Sequence, residues 1–105
     1  MDLKVSGFDW DQGNRDKCQK HGLAIADIEH ALVHAQTLIV RDIRNSRVED
    51  RYIAIGRTGG GRLAFVAFTL REIDGGLRIR PISARYKHKK EIGKYEKEIA
   101  KIQNR

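Results

Sequence analysis

The stretch Leu77–Glu96, LRIRPISARYKHKKEIGKYE, decides the predicted layout of this chain, because a strand gives way to a helix within it. Residues 77–83 are predicted to form a strand, and a basic helix is predicted from about Lys87 to Gln103. Arg85 lies at the joint between the two. Side chains at such joints can project from a rigid scaffold into a cleft. We therefore predict that Arg85 belongs to a phosphate-binding surface.

The predicted C-terminal helix combines an apolar stripe with a strong positive charge. Ile92, Tyr95, Ile99 and Ile102 recur at the spacing of one helix face. Residues 85–105 hold eight Lys or Arg and three Glu, so they carry +5 of the net charge of +7. A basic patch attracts polyanions. A solvated lysine face would have the same composition, and charge alone does not separate RNA, DNA and an acidic protein partner.

The remaining segments predict an α+β domain. A small antiparallel sheet of about four strands, in meander order, packs with two N-terminal helices and one C-terminal helix. The two N-terminal helices are expected before Gly22 and over residues 25–35, and a short first strand is expected at residues 4–8. The main strands are expected at 37–40, 51–57, 62–71 and 77–83. The 62–71 strand is apolar on both faces and is placed centrally, whereas Pro81 indicates an edge, a bulge or an N–H position facing away from the ladder.

The length, the cysteine content and the lack of long apolar runs indicate the number of domains and the cellular compartment. The 105 residues predict a single domain spanning 1–105. Cys18 is the one cysteine, so an intrachain disulfide is impossible and a reducing, cytoplasmic compartment fits. No apolar run approaches the roughly 20 residues of a membrane helix, and the N-terminus lacks the core of a signal peptide. We therefore expect a cytoplasmic protein with no membrane partner.

Several familiar site motifs are incomplete in this sequence. The pairs His30/His34 and Cys18/His21 have helical spacing, but no second cluster completes a zinc site. The run Gly59–Gly61 joins two predicted strands and is not followed by Lys-Ser or Lys-Thr, so it predicts a hairpin turn and not a phosphate-binding loop. No serine or cysteine hydrolase triad can be assembled. We predict no metal and no cofactor.

The basic residues and a few acids still suffice for metal-free RNA cleavage. That reaction needs a base for the ribose 2′-OH, an acid for the leaving oxygen and cations for the phosphorane. Arginine suits the third role because its planar fork binds phosphate oxygens bidentately. Histidine suits proton transfer near neutral pH. The candidates for these roles include His21, Glu49, Arg51 and Arg85.

Three motifs in order resemble the BrnT family of type II toxins. The first motif comprises Phe8-Asp9-Trp10-Asp11 and the later Lys20-His21-Gly22. The second is the predicted strand Arg51–Arg57, with Glu49 and Arg51 at the acid and arginine positions. The third is Arg78-Ile79-Arg80-Pro81-Ile82-Ser83-Ala84-Arg85, followed by Glu91, Tyr95 and Glu96. The similarity spans about Phe8 to Glu98. It implies a small α+β ribonuclease of the RelE-like superfamily that acts on RNA without a metal. It also implies neutralisation by a DNA-binding antitoxin, with DNA contacted only through the toxin–antitoxin complex.

The resemblance transfers roles to particular positions. The matched polar residues are Lys20, His21, Glu49, Arg51, Ser83, Arg85, Glu91 and Tyr95. Arg51 and Arg85 are expected to stabilise the transition state, with His21 as general acid or base and Glu49 as its counterpart. Lys20, Arg80, Lys87 and Lys89 are expected to bind RNA. This interpretation requires Arg85, His21 and the segment 49–51 to converge in one cleft.

Two other interpretations stay open at the level of sequence. The chain could be a non-catalytic module of the same fold that binds nucleic acid or protein through its basic helix. In that case Arg85 could pair with Glu91, and His21 could cap the first helix. Alternatively, the surface formed by the matched residues could serve only as the seat of the antitoxin, which is expected to be of the ribbon-helix-helix type.

Overall fold

A computed structural model describes residues 5–34, 36–46 and 49–87 of the chain. The elements in order are β1 (Gly7–Phe8), α1 (Gln12–Gln19), α2 (Ile25–Val33), β2 (Leu38–Arg41), a single 3₁₀ turn (Ile43–Asn45), β3 (Arg51–Arg57), β4 (Leu63–Ile73) and β5 (Gly76–Tyr86). The predicted α+β class and the two N-terminal helices are present. The predicted C-terminal helix lies outside the described residues, apart from Lys87.

The sheet has five strands in the order β1-β5-β4-β3-β2. Strands β2 to β5 form the predicted antiparallel meander, with β4 at the centre as expected. The prediction of about four antiparallel strands was incomplete, because β1 adds a parallel pairing of Gly7 with Arg78 and Phe8 with Ile79. The short first strand expected at residues 4–8 is found at Gly7–Phe8 among the described residues, but its parallel pairing was not predicted. Its parallel partner lies about 70 residues away in the sequence, where no local pattern can indicate it.

The two helices pack on one face of the sheet. Ala54 on β3 lies opposite Val66 on β4, which lies opposite Ala84 on β5, and all three are buried. From the helical side, Cys18, Leu23, Ile28, Ala31 and Leu32 complete this core. Burial raises the pKa of the Cys18 thiol to about 11, so the neutral thiol packs as a small apolar group.

A β-bulge in β5 interrupts the ladder at Pro81. Ala67 pairs with Ser83, whereas the next residue, Phe68, pairs with Pro81, so Ile82 is the extra residue. One of the three predicted explanations for Pro81, the bulge, is therefore confirmed. Because the bulge shifts the alternation by one residue, both Ile79 before it and Ala84 after it face the core.

Strand β5 is longer than predicted. The expected strand ended at Ser83, but pairing with β4 continues through Tyr86, and the Lys87 N–H donates to the Leu63 carbonyl at 3.0 Å. Arg85 therefore lies within the ladder, next to its last paired residue, Tyr86. The tertiary pairing with β4 decides the conformation here, and local composition does not. The paired backbone fixes the direction of the Arg85 side chain.

In the described part of the chain, neither helix has the length and apolarity that crossing a membrane requires.

Candidate functional site

A cleft of about 260 Å³ lies where the end of α1 meets the sheet, and we call it the His21 cleft. His21, Ser83 and Arg85 supply its polar lining, and Ile53, Phe65, Ala67 and Ala84 supply the rest. Gly22 has a φ of 93° and its N–H donates to the Gln19 carbonyl, so the chain turns sharply after the helix. This turn leaves His21 exposed at the rim of the cleft.

Helix α1 is fixed beside β5 through a capping box at its N-terminus. The Asp11 side chain accepts from the Asn14 N–H at 3.0 Å, and the Asn14 side chain accepts from the Asp11 N–H at 2.7 Å. The Asn14 amide also donates to the Asp9 carbonyl at 3.0 Å and to the Pro81 carbonyl at 2.9 Å. Asn14 is 7% exposed. It therefore ties the helix that leads to His21 to the strand that carries Ser83 and Arg85.

Asn14 and Asp11 were missed as supporting residues of the site. A sequence signal existed, because Asp is a favoured N-cap residue and Asn14 stands three residues later, at the position of the reciprocal partner in a capping box. The bond from Asn14 to Pro81 had no such signal, since it depends on the bulge that turns the Pro81 carbonyl toward α1.

Two cations share one aromatic ring at the side of the His21 cleft formed by β4 and β5. The guanidinium carbon of Arg85 lies 4.4 Å from the ring centroid of Phe65, and Lys87 Nζ lies 4.0 Å from the same centroid. Phe65 and Arg85 are cross-strand partners. One Arg85 N–H also donates to the Tyr86 carbonyl at 3.3 Å. Arg85 and Lys87 are thus held close together by β4.

A second cleft, also of about 260 Å³, lies further along the same face of the sheet. We call it the Arg51 cleft. Its charged lining consists of Lys17, Glu49, Arg51 and Arg80; Gly13, Asn14, Thr69, Pro81 and Ile82 complete it. Glu49 pairs with Arg71 at 3.2 Å. The cleft therefore contains several cations and a carboxylate that an arginine holds.

The expected convergence of the predicted site in one cleft was wrong. His21 and Arg85 line one cleft, whereas Glu49 and Arg51 line the other. The ladder explains the separation. Arg51 pairs with Thr69, and Arg85 pairs with Phe65, on the same face of the sheet. Thr69 and Phe65 are four residues apart on β4, which corresponds to about 13 Å along a strand.

Most of the chain matches the model of a known family. Residues 10–91 match the family model described as "Ribonuclease toxin, BrnT, of type II toxin-antitoxin system". The chain belongs to the BrnT family. The resemblance drawn from the three motifs is thereby confirmed, and the chain is a ribonuclease toxin of a type II toxin–antitoxin system, with an antitoxin as partner and RNA as substrate. No curated protein matches the chain.

Arg80 of this BrnT family member is engaged in ion pairs. Its guanidinium contacts Asp9 at 3.2 Å and Asp11 at 2.7 Å, and its side chain is 23% exposed. The Asn14 backbone N–H, followed by Arg80, lowers the pKa of Asp11 below its ordinary value. Arg80 was predicted to bind RNA, but in the structure its charge faces two carboxylates and holds the N-terminus of α1.

The other residues predicted for the BrnT site occupy varied positions. Lys20 is the C-cap residue of α1 and is exposed next to His21. Ser83 lines the His21 cleft, and Lys87 lies over Phe65. Lys89, Glu91 and Tyr95 lie outside the described residues.

The histidine pair on α2 makes other contacts. His30 Nδ1 lies 2.9 Å from the Arg57 carbonyl, and His34 Nδ1 accepts from the Gln36 N–H at 3.2 Å. Within residues 5–34, 36–46 and 49–87, no group of three or more His, Cys, Asp or Glu side chains is placed to hold a metal ion.

Proposed function

We propose that this BrnT family toxin is an active, metal-independent endoribonuclease and that it cleaves RNA in the His21 cleft. The observation that carries the proposal is the lining of that cleft, where His21, Ser83 and Arg85 come from two segments that are distant in sequence. An imidazole can transfer the protons of phosphodiester cleavage by the adjacent 2′-OH, and a guanidinium and a hydroxyl can stabilise the phosphorane.

The proposed reaction is an internal displacement at phosphorus. The 2′-oxygen attacks while its proton passes to the imidazole of His21, and the bond from phosphorus to the 5′-oxygen breaks. The products are a 2′,3′-cyclic phosphate and a 5′-hydroxyl, whose proton comes from water or from the imidazolium. Arg85 stabilises the two negative charges of the phosphorane, and the Ser83 hydroxyl donates to a non-bridging oxygen.

The lining of the His21 cleft supports a mechanism without a metal. Hard divalent cations in phosphoryl-transfer sites are held by carboxylate oxygens. Among the described residues that line this cleft, none is an Asp or a Glu. The positive charge of Arg85 takes the place that a metal ion occupies in two-metal nucleases.

We assign the Arg51 cleft to binding of the RNA beside the cleaved bond. Lys17 and Arg51 would contact a neighbouring phosphate, which adds affinity that depends on salt concentration. Glu49 was predicted as the proton-transfer counterpart of His21. Its pairing with Arg71 in the Arg51 cleft favours a role in organising that cleft instead. On this view Glu49→Gln weakens RNA binding and leaves the chemical step intact.

The biological role follows from the family. We propose that cleavage inhibits translation in the cytoplasm. The neutralising partner would be a ribbon-helix-helix antitoxin encoded alongside, and the complex would contact operator DNA through the antitoxin. The net charge of +7 suits association with RNA and with an acidic antitoxin segment.

The test compares His21→Ala and Arg85→Ala with Arg62→Ala, each purified and assayed on total RNA in the presence of EDTA. Arg62 is a matched control, because its exposed guanidinium lies 3.6 Å from the ring of Tyr86, on the helix side of the sheet. Loss of the acid–base group should slow cleavage about 10²- to 10⁴-fold. Loss of Arg85 should slow it about 10²- to 10³-fold. Arg62→Ala should stay close to the parent.

Three outcomes would contradict the proposal. Cleavage by His21→Ala and Arg85→Ala at the rate of Arg62→Ala would move the chemistry out of the His21 cleft. Complete loss of parental activity in EDTA, restored by Mg²⁺, would refute metal independence. RNA binding with a steep salt dependence and no cleavage by the parent would make the chain the binding module considered above.

A further inference from the structure

Phe65 holds a position that the proposed reaction does not by itself explain. Its side chain lies on the other face of β4 from its neighbours Ala64 and Val66, which face the core and are fully buried. Phe65 is only partly buried and lines the His21 cleft. A large aromatic residue at this position is therefore placed to act within the cleft.

The contacts of Phe65 are unusual for an apolar side chain. Arg85 and Lys87 both lie over its ring, at 4.4 and 4.0 Å from the centroid. The two cations are therefore within about twice that distance of each other. Like charges repel at this range, and the negative face of an aromatic ring offsets part of that repulsion.

The backbone reinforces this arrangement. Arg85 pairs directly with Phe65 in the ladder, and the Lys87 N–H donates to the Leu63 carbonyl at 3.0 Å. Residues 85 and 87 therefore project to the same face as Phe65. The two cations come from one rigid strand, and one ring on the neighbouring strand fixes the direction of both.

We propose that Phe65, Arg85 and Lys87 form a two-cation clamp for the scissile phosphate of RNA, with Phe65 as the positioning residue. This inference rests on the proposed function of the His21 cleft. Charge-assisted contacts to phosphate oxygens are about 2.8 Å long, so two cations held close together can bind one phosphate from two sides. Because the ring orders both side chains before RNA arrives, less conformational entropy is lost on binding.

The test is a double-mutant cycle measured on binding of an RNA whose 2′-hydroxyls are all methylated, so that cleavage by the 2′-oxygen is impossible. The variants are Phe65→Leu, the pair Arg85→Met with Lys87→Met, and the combination of all three. Phe65→Leu should weaken binding about five- to thirty-fold. It should also reduce the magnitude of the salt slope, by about 0.7 for each phosphate that the variant no longer neutralises. In the Arg85→Met, Lys87→Met background, Phe65→Leu should have little further effect.

Two further variants separate positioning from packing. Phe65→Trp retains an aromatic face and should restore binding and the salt slope, whereas Phe65→Leu retains only apolar bulk. Arg62→Ala removes a charge elsewhere and should change binding less than Phe65→Leu. Thermal unfolding of each variant shows whether the folded protein is being compared.

Two results would overturn the clamp. One is a full effect of Phe65→Leu in the Arg85→Met, Lys87→Met background, because the ring would then act independently of the cations. The other is Phe65→Leu binding the methylated RNA as the parent does. Failure of the proposed catalytic function looks different, since His21→Ala would then cleave normally whatever the binding cycle gives.

Discussion

Replacing Asn14 by alanine tests the link between the fold and the His21 cleft. The side chain of Asn14 makes three hydrogen bonds to backbone groups, at 2.7 Å with the Asp11 N–H, 3.0 Å with the Asp9 carbonyl and 2.9 Å with the Pro81 carbonyl. Asn14→Ala removes all three, while the Asn14 N–H bond to the Asp11 carboxylate is a backbone donation that alanine keeps. The helix thus retains half of its capping box and loses its tie to β5.

The three bonds set the size of the effect. A typical hydrogen bond contributes about 1 kcal/mol net, and a buried acceptor left without a donor costs more. We therefore expect the free energy of unfolding to fall by about 3 kcal/mol. That is a large share of the roughly 5–15 kcal/mol that stabilises a domain of this size. In urea it should lower the unfolding midpoint by about 2 M.

Urea titration followed by the fluorescence of Trp10 measures this loss. Trp10 is the single tryptophan, and its indole N–H donates to Glu29 of α2 at 3.0 Å, so its signal reports on the packing of α1 and α2. The matched control is Gln12→Ala in the same helix. The side chain of Gln12 makes one exposed bond, to Asp16 at 2.7 Å, and its removal should change stability by less than about 0.5 kcal/mol.

A second substitution at this position tests the two amide donations of Asn14. Asn14→Asp keeps an oxygen to accept from the Asp11 N–H, but it removes both amide donations and sets a carboxylate against the Asp9 and Pro81 carbonyl oxygens. The loss of stability should be at least as large as in Asn14→Ala. An Asn14→Asp protein as stable as the parent would show that the bonds to Asp9 and Pro81 do not hold α1 in place.

Two other predictions concern the packing of α2 on β3 and the N-cap of α1. Gly56→Ala should lower the free energy of unfolding in urea by about 1–3 kcal/mol, because the added Cβ would lie 2.3 Å from the Ala31 carbonyl oxygen of α2. The control, Gly60→Ala, should be close to neutral, since the nearest atom to its Cβ would be 3.9 Å away. Equal stabilities of the two variants would refute the close packing of α2 on β3. The folded protein lowers the pKa of Asp11 below its ordinary value of 3.8. The Asp11 carboxylate therefore stabilises the fold at pH values above 3.8, and this stabilisation is lost as the pH falls through and below that value. The urea midpoint of Asp11→Asn should therefore fall less between about pH 5 and about pH 3 than that of the parent, and parallel curves would contradict the assignment.

The sequence predicted the parts of the fold that local patterns encode. The apolar pattern of residues 62–71 placed β4 at the centre of the sheet, and the turn composition at Gly59–Gly61 and at residues 74–76 placed the meander hairpins correctly. The pairing of β1 with β5 could not be foreseen, because it joins residues about 70 positions apart through only two rungs. The extension of β5 to Tyr86 was missed for a related reason, since the ladder with β4 decides it.

The sequence identified residues that line the clefts, but it did not predict which of those residues lie together. His21, Ser83 and Arg85 were all selected from motifs, and they share a cleft. Arg51 and Glu49 were selected in the same way, yet they line the other cleft, and Arg51 is about four strand residues away along β4. A motif match records which residues occur, and the register of the sheet determines which of them meet. Only the register places Arg51 beside Thr69 and Arg85 beside Phe65.

Helix α1 is the element that relates the two clefts. It contributes Gly13, Asn14 and Lys17 to the Arg51 cleft, and the turn that follows it contributes His21 to the other. The ion pairs of Arg80 and the bonds of Asn14 fix the start of this helix against β5. A displacement of α1 would therefore alter both clefts together.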